Sequence, residues 1–239
     1  WCLSMWAMKV AYYRAFQKVM KIFMMFLDWS EPQLLTGPGA IKKLPGVIKD
    51  KGINNVMIVT DKGLMSLHLL DGLFKQLEED GISYTVYDGV QPNPSIENIE
   101  EARAQFVANG CQAMIAFGGG SPMDVAKAVG VVAKYGGSIT EYEGAHKVPG
   151  KIIPLVALPT TAGTGSEVTA FSVITDHSRD YKLTVFSYEL LPAYAILDAD
   201  LITTAPASVA AACGIDAFIH AEEAYISTAA SPFSDAMAE

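Results

Sequence analysis

Short apolar runs of strand length recur along the middle of the chain. They predict strands at 55–60, 83–87, 114–117, 152–158 and 193–197. Residues 56–59 and 114–117 are apolar at every position, which suits strands buried on both faces of a parallel sheet. Residues 168–175 and 181–186 predict a hairpin around the polar turn between them.

Helical patterns lie between these strands. Leucines recur at helical spacing through residues 64–80, and Gly81 ends this pattern. The other helices are predicted over 40–51, with a break near Pro45, over 95–108, and from Ser121 onward. Strands that alternate with helices form βαβ units, so we expect an α/β fold: a Rossmann-like parallel sheet with right-handed crossovers.

The pattern changes after Pro206. Residues 208–225 are rich in alanine and helical in spacing, and they predict the start of an all-helical domain. We therefore expect an N-terminal extension over 1–30, an α/β domain over 31–205 and an incomplete helical domain over 206–239. The pattern reaches Glu239 without a helix stop signal, so we expect that the chain is truncated at its C-terminus.

The first 29 residues are rich in Trp, Met and Phe, but Lys9, Arg14, Lys18 and Lys21 interrupt the apolar positions. They contain no apolar run of the roughly 18 residues that a membrane span requires. We expect an amphipathic helix that packs on the body of the protein or on a partner subunit. A basic helix that lies on a membrane surface is the alternative.

Composition narrows the function classes. Of the 239 residues, 51% are hydrophobic and 18% are charged, as in a folded globular protein. The net charge of −9 argues against nucleic-acid binding and favours a small-molecule partner. Cys2, Cys111 and Cys213 are too far apart for a CxxC motif, so we expect neither disulfides nor a structural zinc site, and a reducing cytoplasm is the expected compartment.

Three glycines, Gly118 to Gly120, separate the strand at 114–117 from the next helix. Ser121 suits the N-cap of that helix, and Asp124 stands where a capping-box acid belongs. A helix N-terminus beside glycines favours an anion such as phosphate. Met123 replaces the third glycine of the G-x-G-x-x-G fingerprint, so a plain tight turn remains an equal alternative.

Two more features are expected at the same edge, because ligands of open α/β sheets bind at the carboxyl ends of the strands. Asp61 follows the first strand and is either a ribose-binding carboxylate or a helix cap. Residues 159–169 are dense in threonine and glycine, and either bind a ligand through their hydroxyl groups or satisfy only their own turns.

A candidate metal pair lies in the C-terminal helix. Asp216 and His220 are four residues apart and hence on one face. A carboxylate and an imidazole so placed can take two positions on iron or zinc. A surface hydrogen bond between the two side chains is the alternative.

These motifs together identify a family. The chain resembles the iron-containing (group III) alcohol dehydrogenases, which have a dehydroquinate synthase-like fold, from about residue 31 to residue 235. The resemblance rests on Gly118-Gly-Gly-Ser-Pro-Met-Asp124, on Leu158-Pro-Thr-Thr-Ala-Gly-Thr-Gly-Ser-Glu-Val-Thr169, and on Asp198 followed by Gly214-Ile-Asp-Ala-Phe-Ile-His220.

The resemblance implies that the domain at 31–205 binds a dinucleotide and that the active site lies between this domain and a helical one. The positions that match cofactor contacts of the family are Asp61, Asn93, Gly119, Gly120, Ser121, Thr160, Thr161, Thr164, Val173 and Lys182. The acid at Asp61 points to NAD and not to NADP. Asp216 and His220 match two ligands of the catalytic metal, Fe²⁺ or Zn²⁺, and two further histidines of the family lie beyond residue 239.

The implied activity is hydride transfer between a short-chain primary alcohol, or its aldehyde, and NAD. Glycerol dehydrogenase and dehydroquinate synthase-like enzymes are alternatives within the fold. An inactive nucleotide-binding fragment is the alternative from another class, and we expect the 239-residue chain alone to be inactive. We also expect a homo-oligomer.

Overall fold

The computed structural model describes residues 2–24 and 31–239. Within these residues the chain divides into two compact units, one of residues 31–213 and one that groups residues 2–24 with residues 214–239. The first unit holds the sheet. The second holds helices only among its described residues.

The strands are β1 (Gln33–Thr36), β2 (Asn55–Val59), β3 (Ser83–Tyr87), β4 (Ala113–Gly118), β5 (Gly144–Ala145), β6 (Leu155–Pro159), β7 (Phe171–Asp176), β8 (Tyr181–Phe186) and β9 (Tyr194–Leu197). Six of them form one parallel sheet in the order β1-β9-β6-β4-β2-β3. β7 and β8 pair antiparallel as the predicted hairpin, and β5 adds to β8 in a second sheet.

The helices are α1 (Cys2–Met24), α2 (Leu44–Asp50), α3 (Lys62–Met65), α4 (Asp71–Glu79), α5 (Ile96–Ala108), α6 (Gly120–Tyr135), α7 (Ala199–Ile202), α8 (Ala207–Ile226) and α9 (Pro232–Ala238). Short 3-10 turns occur at Ala40–Lys43, Ile139–Tyr142, Ser166–Val168 and Tyr188–Leu190.

The sheet carries a core on each face. Met57 and Val59 of β2 belong to the core that includes α5 and α6, whereas Val56 and Ile58 belong to the core that includes α2 and α4. β4 divides its residues between the two cores in the same way. Residues 56–59 of β2 and 113–117 of β4 are therefore apolar at every position. The predicted fold class is confirmed: a parallel α/β sheet, followed by the first helices of a helical region.

The prediction of one helix over 64–80 is wrong, because α3 ends at Met65 and α4 begins at Asp71. His68 between them has a left-handed backbone with φ 56°, which no helix can contain. Leu70 and Leu73 are buried, but Leu67 is half exposed. The leucine spacing is kept across the turn, so periodicity alone could not show the interruption.

Other details also differ from the sequence prediction. The strand predicted over 152–158 begins only at Leu155. The segment at 40–51 is a 3-10 turn followed by α2, and Pro45 lies in the first turn of α2, where its missing N–H is harmless. Sequence analysis missed β1, which is a short edge strand with little buried surface.

α8 confirms the helix predicted over 208–225, and it runs through Cys213 and Gly214, where the two units divide. The predicted domain boundary near 205 stays a prediction. At the other end, α1 occupies most of the predicted N-terminal helix, and Trp6 and Met8 on it are exposed; residues 25–29 of that prediction lie outside the described residues. Among the described helices, none is both long and apolar enough to cross a membrane.

Asp198 is a buried residue that connects the segments after two neighbouring strands, β9 and β1. It follows β9, is 1% exposed, and its carboxylate accepts hydrogen bonds from the N–H groups of Gly39 at 3.0 Å and Ile41 at 3.0 Å. The same carboxylate caps α7 by accepting from Asp200 N–H at 3.1 Å. One side chain therefore satisfies three backbone donors from two segments.

We predict that Asp198→Ala lowers the free energy of unfolding by about 3 kcal/mol, because buried N–H groups lose their partner. Asp200→Asn, at an exposed position in α7, should change it by no more than about 0.5 kcal/mol. Urea unfolding followed by circular dichroism measures both. Equal effects of the two substitutions would show that the buried hydrogen bonds of Asp198 contribute nothing to the free energy of unfolding.

Candidate functional site

The turn from β4 into α6 forms the centre of the site. α6 begins at Gly120 with Gly119 as its N-cap, so the prediction of Ser121 as N-cap with a capping box at Asp124 is wrong. Gly119 has extended backbone angles, φ −83° and ψ −158°, and lets the helix start two residues earlier. The N–H groups of Gly120 and Ser121 therefore belong to the first helical turn, where they have no partner within the helix.

Side chains lie close against all three glycines. A Cβ atom at Gly119 would be 3.2 Å from Thr161 Oγ1, and one at Gly120 would be 3.2 Å from Thr164 Cγ2. Gly118 has φ +143°, and a Cβ there would be 2.7 Å from Pro122 Cγ. The glycine turn thus packs directly against the threonine side chains of the opposite loop.

Three adjoining cavities of about 570, 200 and 230 Å³ surround this contact. Asp61 and Gly119 line both the first and the second, and Gly120 and Ser121 line both the first and the third. We call the three together the cleft. Its walls include all ten predicted cofactor residues: Asp61, Asn93, Gly119, Gly120, Ser121, Thr160, Thr161, Thr164, Val173 and Lys182.

Asp61 both caps a helix and lines the cleft. Its Oδ1 accepts a hydrogen bond from Leu64 N–H at 2.9 Å, so it is the N-cap of α3. The residue also lines the cleft beside Gly119. Capping occupies one carboxylate oxygen, so it is compatible with ligand binding by the other.

Asn93 and Lys182 close the other end of the cleft. Lys182 Nζ donates to Asn93 Oδ1 at 2.8 Å, and Thr175 N–H donates to Pro94 O at 2.7 Å. Asn93 has φ 54°, a left-handed conformation that Asn tolerates better than most residues. The turn after β3 is thereby joined to the β7–β8 hairpin.

Sequence analysis missed Lys127, which lies behind the cleft, and gave Asp124, which lines the cleft, the wrong role. Lys127 of α6 is fully buried and donates to oxygen atoms of the loop that follows the threonines. Asp124 accepts from Ser166 Oγ at 3.0 Å and from Val173 N–H at 3.2 Å. Burial raises the pKa of Asp124, and the Lys127 charge opposes that shift. The sequence did carry a signal for Lys127, because it is a lysine within the otherwise apolar run of α6 that extends to Val132.

The candidate metal pair lies on α8. Asp216 Oδ2 and His220 Nε2 are 3.7 Å apart, and both side chains are about half exposed. An oxygen and a nitrogen donor one helical turn apart fit two positions of an iron or zinc ion. The described residues contain no group of three or more His, Cys, Asp or Glu side chains arranged to hold a metal. The structure therefore brings together these two predicted ligands and no third.

Comparison with known proteins gives one family match. A family model described as iron-containing alcohol dehydrogenase matches residues 32–199. Alcohol dehydrogenase 4 of Schizosaccharomyces pombe is 40% identical over 204 residues, which cover 85% of this chain and 48% of that protein. The NAD-dependent methanol dehydrogenase of Bacillus methanolicus is 39% identical over 207 residues, covering 87% of this chain and 54% of that protein.

Solved structures agree with this match. A 1,3-propanediol oxidoreductase superposes with a TM-score of 0.86 at 37% identity, covering 89% of this chain and 56% of that one. A sulfoacetaldehyde reductase from Bifidobacterium kashiwanohense, solved with NAD⁺, gives a TM-score of 0.80 at 31% identity, covering 89% and 57%. The chain spans about half the length of the curated relatives it matches.

We predict that Gly118→Ala lowers the free energy of unfolding by about 2 kcal/mol or more, since the new Cβ meets Pro122 in a backbone conformation that alanine rarely adopts. The matched control is Gly46→Ala in α2, where a Cβ meets open space. That change should stabilise the chain by about 0.5–1 kcal/mol. Thermal or urea unfolding measures the change in the free energy of unfolding for both variants. No loss of stability in Gly118→Ala would contradict the geometry of the turn.

Proposed function

The chain belongs to the iron-containing alcohol dehydrogenase family, and we propose that the whole protein is a metal-dependent oxidoreductase that uses NAD. Its substrate is a short-chain primary alcohol or the corresponding aldehyde. The observation that carries the proposal is the cleft, which gathers ten predicted cofactor residues from six separate segments of the chain. The printed names of relatives, among them alcohol, methanol and 1,3-propanediol dehydrogenases, support the substrate class.

The diphosphate of NAD binds at the start of α6. The N–H groups of Gly119, Gly120 and Ser121 and the positive end of the helix dipole favour an anion there, and the missing side chains let it approach the backbone. Thr160, Thr161 and Thr164 add hydroxyl donors from the opposite wall. Hydrogen-bond donors thus surround the position where the negative charge lies.

Asp61 selects NAD over NADP. A carboxylate at the end of this strand accepts hydrogen bonds from the hydroxyl groups of the adenosine ribose and repels a 2′-phosphate. Its position in the cleft wall beside Gly119 supports this role. Val173 and Lys182 line the opposite end and orient the remainder of the cofactor.

Asp216 and His220 hold the metal, Fe²⁺ or Zn²⁺, through one oxygen and one nitrogen donor. When bound, the metal supplies Lewis acidity toward the alcohol oxygen, and NAD supplies the hydride acceptor. The residues of this chain bind and orient these groups. The chain by itself carries two of the metal donors, so we propose that alone it binds NAD without turnover.

We predict that Asp61→Asn raises the affinity for NADP⁺ by about tenfold or more, equivalent to about 1.4 kcal/mol, because the repulsion of the 2′-phosphate is removed. The amide oxygen of the new side chain can still accept the hydrogen bond that caps α3. The substitution therefore removes the charge without removing the cap. Isothermal titration with NAD⁺ and NADP⁺ measures both affinities. Asp50→Asn, an exposed residue at the end of α2, is the matched control and should change neither. Unchanged NADP⁺ binding in Asp61→Asn would contradict the role of Asp61.

We predict that Asp216→Ala and His220→Ala each lower the metal affinity of the whole protein by about 100-fold or more, with loss of metal-dependent NADH formation from primary alcohols. Glu222→Gln on the same helix, two residues from His220, should retain activity. Removal of metal with a chelator and return of Fe²⁺ or Zn²⁺ identifies the active ion. Full metal-dependent turnover in both alanine variants would end the metal assignment while leaving the NAD assignment intact.

A further inference from the structure

Lys127 lies in a cage of oxygen atoms behind the threonine-rich loop. Its Nζ donates to three carbonyl oxygens: Ser166 O at 2.7 Å, Thr169 O at 2.9 Å and Phe171 O at 2.9 Å. The hydroxyl oxygens of Ser166 and Thr169 lie at 3.1 and 3.2 Å. A lysine ammonium has three N–H donors, and the three shortest contacts match them in number.

These contacts fix the path of residues 166–171, which connect two parts of the cleft wall. The carbonyls of Ser166, Thr169 and Phe171 converge on one cation, where a regular strand would point successive carbonyls in alternating directions. Thr164 lies two residues before this segment and Val173 two residues after it, and both line the cleft. The ammonium therefore fixes the segment that connects them.

Asp124 makes the second tie between α6 and this segment. Its carboxylate accepts from Ser166 Oγ and Val173 N–H, and its backbone carbonyl accepts from Ser172 Oγ at 2.8 Å. Asp124 and Lys127 lie three residues apart on α6, so one turn of this helix holds the whole segment. That helix also carries the glycine turn at its start.

We propose that Lys127 is a positioning residue for the nucleotide: its ammonium holds residues 166–171 against α6 and so keeps Thr164 and Val173 at the wall of the cleft. The proposal rests on the proposed binding of NAD in that cleft. Lys127 itself does not line the cleft and is not a catalytic residue.

The charge of Lys127 changes within an accessible pH range. Burial lowers the pKa of Lys127 to about 8, and the negative charges of Asp124 on the same helix and Glu167 on the caged segment oppose that shift. The strand β7 contributes the carbonyl of Phe171 at this point. As pH rises through about 8 the folded chain loses the proton, and a neutral amine keeps two N–H donors for three carbonyls.

The test is the dissociation constant of NAD⁺, measured by isothermal titration of this chain between pH 7 and pH 9. We take the binding-competent form to be the one in which Lys127 is protonated. The fraction of chains in that form falls from about nine tenths at pH 7 to about one tenth at pH 9, so the dissociation constant of NAD⁺ rises about tenfold. Lys127→Arg retains a charge over this range and should flatten the profile. Lys127→Met should bind weakly at every pH.

The matched control is Lys134→Met, which removes an exposed lysine from the same helix. It should keep the affinity and the pH profile of the unchanged chain. Amide hydrogen exchange at one fixed pH gives a second measure: residues 164–173 should exchange faster in Lys127→Met, while β2 keeps its protection. Circular dichroism at each pH confirms that the fold is retained.

The outcomes separate the two proposals. Absence of NAD⁺ binding by the unchanged chain at every pH would overturn the proposed function together with this inference. A flat pH profile in the unchanged chain, which needs no variant to fold, would overturn the positioning role alone. So would a Lys127→Met chain that keeps the unchanged affinity and profile.

Discussion

The candidate site depends on one steric constraint, which is the close packing of a glycine turn without side chains against the threonine side chains of the opposite loop. The turn at Gly118 to Gly120 lies so close to Thr161 and Thr164 that even a methyl group would crowd the opposite loop. The same absence of side chains lets α6 begin immediately after β4 and presents its first N–H groups to the cleft. A wider turn would need a longer loop, and the helix dipole would then end farther from any bound anion.

Buried charges hold this arrangement in place. Asp198 fastens the loop after β1, while Asp124 and Lys127 fasten the segment after the threonines. Each is buried or half-buried. Asp198 and Lys127 are satisfied mostly by backbone groups, and the Asp124 carboxylate by one backbone N–H and one hydroxyl. Loops have few apolar contacts of their own, so polar anchors of this kind give them one conformation where packing alone would leave several.

The sequence predicted the strands of the sheet interior well, because β2 and β4 are buried on both faces and their apolar runs have no other explanation. It also placed Asp61, the glycine turn and the threonine-rich loop at one edge, since parallel strands bring their carboxyl ends together. Val173 and Lys182 came only from the family resemblance. The sequence prediction failed where the decisive contact is distant in sequence or where backbone angles decide. Lys127 meets partners 39 to 44 residues away, and the left-handed turn at His68 leaves the leucine spacing unchanged.

The alternation of β2 between two cores limits how this chain can change in length. Neighbours such as Met57 and Ile58 serve opposite faces of the sheet, so an insertion or deletion of one residue within the strand would send every later side chain to the wrong face. Both cores would be damaged at once. Length variation among proteins with this sheet should therefore be confined to the connecting loops, while the strands keep a fixed number of residues.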